Sequence, residues 1–353
     1  MNHDELYKRS IDIIINNQVP SGAYIASPTF PNYNYCWFRD SAYIAYAMDL
    51  AGEYDSSEKL HSWAVGNIIK REIQICHLMN GNLDNYEEVL HTRYNLNGEA
   101  GSDYWENFQL DGFGVWLWSL YEHIQLSGRK LTKEMAKAVE LVSGYLSRLW
   151  QKPCFDCWEE NRNEKHIYTL SCIYKGLKSS DLLLSSNSFE VIAGNIKTWI
   201  LNKGVINGSL CKYMGNDAVD SSLLGVHFPN KVLPSNDPIM RKTVKRIQLE
   251  LYKANGLHRY TADTYYGGGI WVLLTAWLGI WLVDDGKPEA AKKILDWILS
   301  KADTEGFLAE QYDDSLNDPL FLPVWTEKWG LSAKPLLWSH AMYIILYKKL
   351  NSR

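Results

Sequence analysis

The stretch Ile270–Val283, IWVLLTAWLGIWLV, constrains the fold more than any other part of the chain. It carries no charge, and Thr275 is its most polar side chain. It is shorter than the roughly 18–20 apolar residues needed to cross a bilayer. A helix that is apolar all round, yet too short to span a membrane, has to be buried on every side by other protein. Segments near 39–52 and 111–127 share this character. Others, near 131–150 and 236–253, carry Lys, Arg and Glu on one face and apolar residues on the other, as surface helices do.

Helical periodicity predicts further helices near 4–17, 56–78, 168–182, 187–202, 287–302 and 333–350. It extends the apolar helix over 267–284 and adds a short one near 218–225. The total is roughly twelve. Alternation of buried and half-exposed helices predicts two concentric layers, six inner and six outer. That is an all-α (α/α)6 toroid, a six-hairpin barrel, with residues 1–353 as a single domain. A plain bundle and stacked helical pairs satisfy the periodicity as well. The segments 18–38, 80–110, 151–167, 203–217, 254–266 and 303–332 read as long irregular loops. Loops of that length in a compact domain are usually functional, and these recur at intervals that would gather them at one end of a toroid.

Composition narrows the classes of function. The 36 Lys and Arg against 41 Asp and Glu leave a net charge of −5, with no electrostatic footprint for nucleic acid or an anionic membrane. The N-terminus MNHDELYKRSID has no apolar core of a secretory signal, and a reduced cytoplasm fits best. Six cysteines form no convincing framework, and Cys154 and Cys157 make a lone CxxC with no second pair or His cluster to complete a zinc site. No metal or cofactor is implied. The 15 Trp and 22 Tyr against 9 Phe combine flat apolar faces with polar tips, which suits sugars, although an aromatic-rich core is the bland alternative.

Three loops offer chemistry. YNYCWFRDS (33–41) puts Trp37, Arg39 and Asp40 at the start of a buried helix. Asp40 could be an ordinary N-cap, but beside Arg39 it forms a pair able to accept from and donate to sugar hydroxyls. DCWEENR (156–162) sets Glu159 and Glu160 behind Trp158, with Phe155 and Cys157 indicating partial burial. An apolar wall raises a carboxyl pKa, as a general acid working near neutral pH requires. FLAEQYD (307–313) holds Glu310 between apolar residues and a tyrosine. Two carboxyls from separate loops are the minimum for glycosidic hydrolysis, though any chain with 41 acids offers many pairs.

Taken in order, these loops resemble glycoside hydrolase family 15, the glucoamylases and related exo-acting α-glucosidases. YNYCWFRDS is similar to the family's W-x-R-D segment, WENFQLDG (105–112) to W-x-x-x-Q-x-D-G, and DCWEENR to D-x-W-E-E. RYTADTYYGGGIW (259–271) is similar to R-Y-x-x-D-T-Y-Y, and AEQYD (309–313) to E-Q-Y-D. Each motif is weak alone, but five in the family's order, from about Gly22 to the C-terminus, are specific. The resemblance implies an (α/α)6 toroid with its pocket at one mouth. It implies Glu159 as general acid and Glu310 as the base that activates water, in an inverting release of glucose from non-reducing ends. Tyr33 would help hold the water. Arg39, Asp40 and Arg259 would bind the terminal glucose, while Trp105, Glu160 and Trp271 would shape the neighbouring site.

Departures bear on specificity. The chain has no room for the β-sandwich domain of many prokaryotic relatives and carries no starch-binding module. Arg162 stands near the +1 site where fungal members have a smaller amide. The stretch 314–330, with Trp325 and Trp329, looks enlarged and could narrow the entrance. Short malto- or isomalto-oligosaccharides are expected rather than raw starch. The rival from another class is a non-catalytic glucan-binding or regulatory protein on the same fold, which would have no need of both carboxylates. An epimerase or lyase would depend on His-centred proton transfer, and a phosphorolytic enzyme would need a cationic pocket in place of Glu310.

Overall fold

The structure, a computed structural model, describes residues 1–81 and 89–351. The first helix, α1 (His3–Asn16), is set by a capping box in which Asn2 accepts from the Glu5 N–H and Glu5 reaches back to the Asn2 N–H. Next come α2 (Phe38–Ala51), α3 (Tyr54–Lys70), α4 (Glu72–Asn80) and α5 (Asp111–Ser127). They are followed by α6 (Lys133–Leu149), α7 (Ile167–Leu184), α8 (Glu190–Lys203) and α9 (Pro238–Leu251). The last four are α10 (Val272–Asp284), α11 (Pro288–Lys301), α12 (Phe321–Trp329) and α13 (Leu337–Asn351). A 3-10 turn, Ser221–Val226, lies between α8 and α9.

Helices α2, α5 and α7, the turn Ser221–Val226, α10 and α13 touch in that order, and α13 closes back on α2. This is the inner ring. Helices α1, α3, α6, α8, α9 and α11 pack outside it, each next to an inner neighbour. The (α/α)6 toroid expected from the alternation is therefore the fold. The apolar helix is α10, buried from Val272 to Val283. Helices α6 and α9 each bury one face and begin at a side-chain cap, Thr132 and Asp237. Close approach of α5 and α7 requires glycine. A Cβ on Gly114 would lie 2.4 Å from the Cys172 carbonyl oxygen, and one on Gly176 would lie 2.8 Å from the Gly114 Cα.

Four sequence expectations need correction. The helix predicted over 56–78 breaks at Arg71. Its backbone leaves the helix while its side chain donates to the Asn67 and Gly98 carbonyls, each at 3.0 Å, and lies over the Tyr94 ring at 4.2 Å. The predicted start of the apolar helix at 267 moves to Val272. Tyr266, Gly267 and Gly268 take left-handed backbone, and Ile270–Trp271 pairs as a short strand with Gln311–Tyr312. The loop predicted over 303–332 contains α12, a nine-residue helix with Pro323 in its first turn and no buried side chain to mark a core-facing stripe. The short helix near 218–225 is the 3-10 turn. Of the loop predicted over 80–110, residues 82–88 lie outside the described residues.

Every inner helix starts at the same mouth. Residues 36–40, 105–111, 156–166, 220, 259–271 and 310–338 converge there, just before or at those starts. Two-residue strands tie these loops together: Cys36–Trp37 pairs with Arg93–Tyr94, and Trp271 pairs with both Leu257 and Gln311.

Candidate active site

Among the residues singled out in the sequence, Tyr33, Trp37, Arg39, Asp40, Trp158, Glu159, Arg259, Trp271 and Glu310 line one pocket at that mouth. Its cavity of about 80 Å³ has room for several water molecules. Ala26, Cys157, Tyr265, Leu336 and Trp338 complete the lining.

Glu159 is held by its loop and by two donors. The Asp156 carboxylate accepts from the backbone N–H groups of Trp158 and Glu160, each at 2.9 Å, which closes the turn. Within that turn Glu159 sits at φ 68°, a left-handed conformation that costs a non-glycine residue free energy and recurs at functional sites. Trp37 Nε1 donates to Glu159 Oε1 at 2.9 Å and Gln109 Nε2 donates to the same oxygen at 3.2 Å. Trp158 is fixed behind the turn by donating to Asp220 Oδ2 at 3.0 Å.

Glu310 is buried, with 5% of its surface exposed. Tyr33 donates its hydroxyl hydrogen to Glu310 Oε1 at 2.9 Å, and the Tyr33 and Tyr265 hydroxyls lie 2.7 Å apart. Burial pushes Glu310 up to about 7. The Tyr33 hydrogen bond and the Arg259 charge oppose that rise, while Asp40 and Glu159 add to it. Asp40 is pushed up to about 6, also by burial first, with Arg39 holding it down. The sequence reading placed a raised carboxyl in the 156–162 loop. In that loop burial raises Glu160, and in the 307–313 loop it raises Glu310 to about 7.

The Arg39–Asp40 pair is built into α2. Arg39 Nη1 donates to Gln109 Oε1 at 2.8 Å and to Asp111 Oδ2 at 3.3 Å, and its Nε lies 3.4 Å from Asp40 Oδ1. Asp40 is not an N-cap: the cap position is Trp37, and no side chain caps the helix. Among the described residues, Arg39 Nε, Asp40 Oδ1, Trp271 Nε1 and Trp338 Nε1 have no hydrogen-bond partner in the protein. Since Asp40 Oδ1 is buried against Arg39, the Asp40 oxygen open to a ligand in the pocket is Oδ2. Arg259 is fixed by Asp263, to which its Nε donates at 2.8 Å.

Two expected site residues fall outside the lining. Trp105 packs edge-on against Trp37 at 5.9 Å between centroids, beneath the Arg93 guanidinium at 3.5 Å, and lines an adjoining cavity with Asp103, Phe155 and Arg162. Glu160 accepts from Tyr260 Oη at 2.5 Å and Arg259 Nη2 at 3.4 Å, and pairs with Lys212 at 3.9 Å. Both therefore buttress residues that line the pocket. Sequence reasoning passed over Gln109, Asp111 and Tyr265, although all three stand inside quoted motifs. Trp338 had no signal beyond its place at the start of the last inner helix. Cys154 and Cys157 are free and buried, and burial pushes both thiols up, so the CxxC offers no reactive thiolate. Trp325 of α12 lies against Tyr265 with centroids 4.2 Å apart.

A helical toroid with paired carboxyls, an arginine–aspartate pair and indole walls at one mouth defines a glycoside hydrolase. The chain belongs to glycosyl hydrolases family 15, whose model matches residues 2–304. It is 36% identical to an isomaltose glucohydrolase of Kribbella flavida over 98% of this chain and 93% of that protein. A glycosidase structure in complex with glucose superposes with a TM-score of 0.94 at 35% identity, covering 98% of this chain and 96% of the other. A bacterial glucoamylase complexed with acarbose shares the fold, with a TM-score of 0.78 at 19% identity over 97% of this chain and 55% of that one. The chain is an exo-acting, inverting α-glucoside hydrolase.

Proposed function

We propose that Glu159 is the general acid and Glu310 the general base in removing a terminal glucose from short isomalto-oligosaccharides, with isomaltose itself the best substrate. The observation that carries the roles is how the two carboxyls are held in one pocket. Both donors to Glu159 act on Oε1, so a proton on Glu159 belongs on Oε2, the oxygen free to pass it to the leaving group. On the other carboxyl Tyr33 occupies Glu310 Oε1, which leaves Oε2 to draw a proton from water. Arg39 and Asp40 would take the terminal sugar's hydroxyls, Asp40 through its other oxygen, Oδ2, in bonds that strengthen as the ring flattens in the transition state. Trp158 and Trp271, 5.5 Å apart, would wall the sugar, and Arg259 would face it from its Asp263 anchor. Trp105 and Glu160 would shape the adjoining site through Trp37 and Arg259.

The linkage rests on the similarity to an isomaltose glucohydrolase across nearly the whole of both chains. All six cysteines are free, which supports a reducing, cytoplasmic compartment and a place in carbohydrate metabolism there. No described helix is long and apolar enough to cross a membrane.

The test of the roles compares two substrates. Glu159→Gln should lower the rate on isomaltose by about 10²–10⁴-fold while sparing glucosyl fluoride, whose leaving group needs no proton. Glu310→Gln should slow both. Equal harm to both substrates in Glu159→Gln would overturn the assignment of the acid. A panel of isomaltose, maltose, nigerose, kojibiose and trehalose, read by glucose release, tests the linkage, and a preference for any of the last four would overturn it.

A further inference from the structure

The opposite end of the toroid from the pocket holds a second cluster of chemistry-bearing residues. Asp49 lies in the last turn of α2 and His123 towards the end of α5, while Glu58 and His61 sit on α3. Glu58 and His61 are three residues apart, which places both on one helix face. Asp49, His61 and His123 are buried, and one donor atom from each lies within 4.8 Å of the others. It is the one such group among the described residues.

His61 is the telling member. It is wholly buried, yet neither ring nitrogen has a hydrogen-bond partner among the described residues. Asp49 Oδ2 is also without one. His123 lies between two carboxylates, with Nδ1 2.8 Å from Asp49 Oδ1 and Nε2 2.8 Å from Glu58 Oε2. The His61 and His123 rings are 5.0 Å apart between centroids. A solitary buried imidazole with no partner is costly, and two imidazoles with a carboxylate are a donor set suited to a borderline divalent cation.

We propose that Asp49, His61 and His123 bind one divalent cation of the zinc class, with water as the fourth ligand and Glu58 holding the far nitrogen of His123. The site would staple α2, α3 and α5 together at the end of the toroid remote from catalysis. Ligands of a tetrahedral zinc ion stand about 3.3 Å apart, given bonds of about 2.0–2.1 Å, so the donors close in by small side-chain rotations.

The experiment strips the full-length protein with a chelator and titrates it with zinc against a chromophoric competitor. One equivalent should bind per chain, and Tm should rise with free zinc. X-ray absorption of the zinc-loaded wild-type protein should show two imidazoles in a nitrogen and oxygen shell. His61→Phe fills the same space without a donor and should lose the tight equivalent and the Tm rise, with isomaltose hydrolysis unchanged. Failure of the wild-type chain to bind one equivalent, a shell without imidazole, or undiminished binding in His61→Phe would each overturn the site. The first two outcomes decide even if the variant does not fold.

Discussion

Replacing Glu310 by Gln should cost the enzyme its activity and make it more stable, by an amount that grows with pH. In the folded protein burial holds Glu310 up at about 7, against 4.5 as its ordinary value. Between those two values the folded state keeps a proton that the unfolded chain has released, so this residue makes stability fall as pH rises. The full cost, reached above the folded value, is about 3 kcal/mol. Glutamine is neutral throughout, and its carbonyl can still accept from Tyr33, so it removes the cost and keeps the hydrogen bond. The gain should be near zero at pH 4, about 1 kcal/mol at pH 5 and about 3 kcal/mol at pH 8. With an unfolding entropy of about 2.1 cal/mol/K per residue, a chain of 353 residues turns the pH 8 gain into about 4 °C of Tm. Calorimetric melting of both proteins at pH 5 and pH 8, beside isomaltose turnover, measures it. A variant less stable than wild type at both values, or equally stabilised at both, would refute the claim that Glu310 is a buried, costly carboxylate.

The same rise sets the acid limb of activity: kcat/KM should fall as pH drops through about 7, where Glu310 takes its proton. Tyr33→Phe removes a hydrogen bond that favours the ionised form, so the limb should move to higher pH, and an unmoved limb would remove Tyr33 from this role. Asp40→Asn should lower the rate heavily while leaving Tm at pH 8 unchanged or higher, because Asp40 caps nothing and is itself raised to about 6; a loss of Tm with activity intact would contradict this. Gly114→Ala should destabilise by about 1–3 kcal/mol or more, since its Cβ meets the Cys172 carbonyl oxygen at 2.4 Å, and a neutral effect in denaturant melts would mean that α5 and α7 are free to part. Proton NMR early in hydrolysis should show β-glucose first, before mutarotation, and α-glucose first would point to a covalent intermediate.

How much of this was legible before any coordinates depends on which physical signal each part leaves in the chain. Burial on all sides is written in composition, so α2, α5 and α10 announced the inner ring, and one-faced helices such as α6 and α9 announced the outer one. Backbone departures leave fainter marks. Arg71 breaks a helix by what its side chain holds, and Glu159 takes a left-handed turn without a glycine, so neither is visible in periodicity. Motifs named the loops that meet, yet not which members face the pocket. Trp105 and Glu160 stand in those motifs and act from behind, whereas Trp338 lines the pocket from outside any of them. Electrostatics was the least legible, because the rise on Glu310 comes from burial beneath loops from four other parts of the chain.

The two ends of the toroid solve opposite problems with the same inner helices. At the mouth, helix N-termini carry unsatisfied N–H groups and partial positive charge, which helps hold Asp40 and Asp111 in the first turns of α2 and α5. Burial raises Asp40 and Glu310 there, and Arg39 opposes it on the first while Tyr33 and Arg259 oppose it on the second. At the far end the same helices present C-terminal carbonyls and partial negative charge, which favours a protonated histidine or a cation. His123 lies there near the end of α5, flanked by Asp49 and Glu58, with Arg129 3.3 Å from Glu58. Glu159 and Glu310 sit where the helices begin, beside Arg39 and Arg259, and His123 with its two carboxylates sits where they end. A toroid with all six inner helices parallel makes that division by its topology. Reversing even one of them would place a helix C-terminus beside Glu310 and raise the cost of ionising it further.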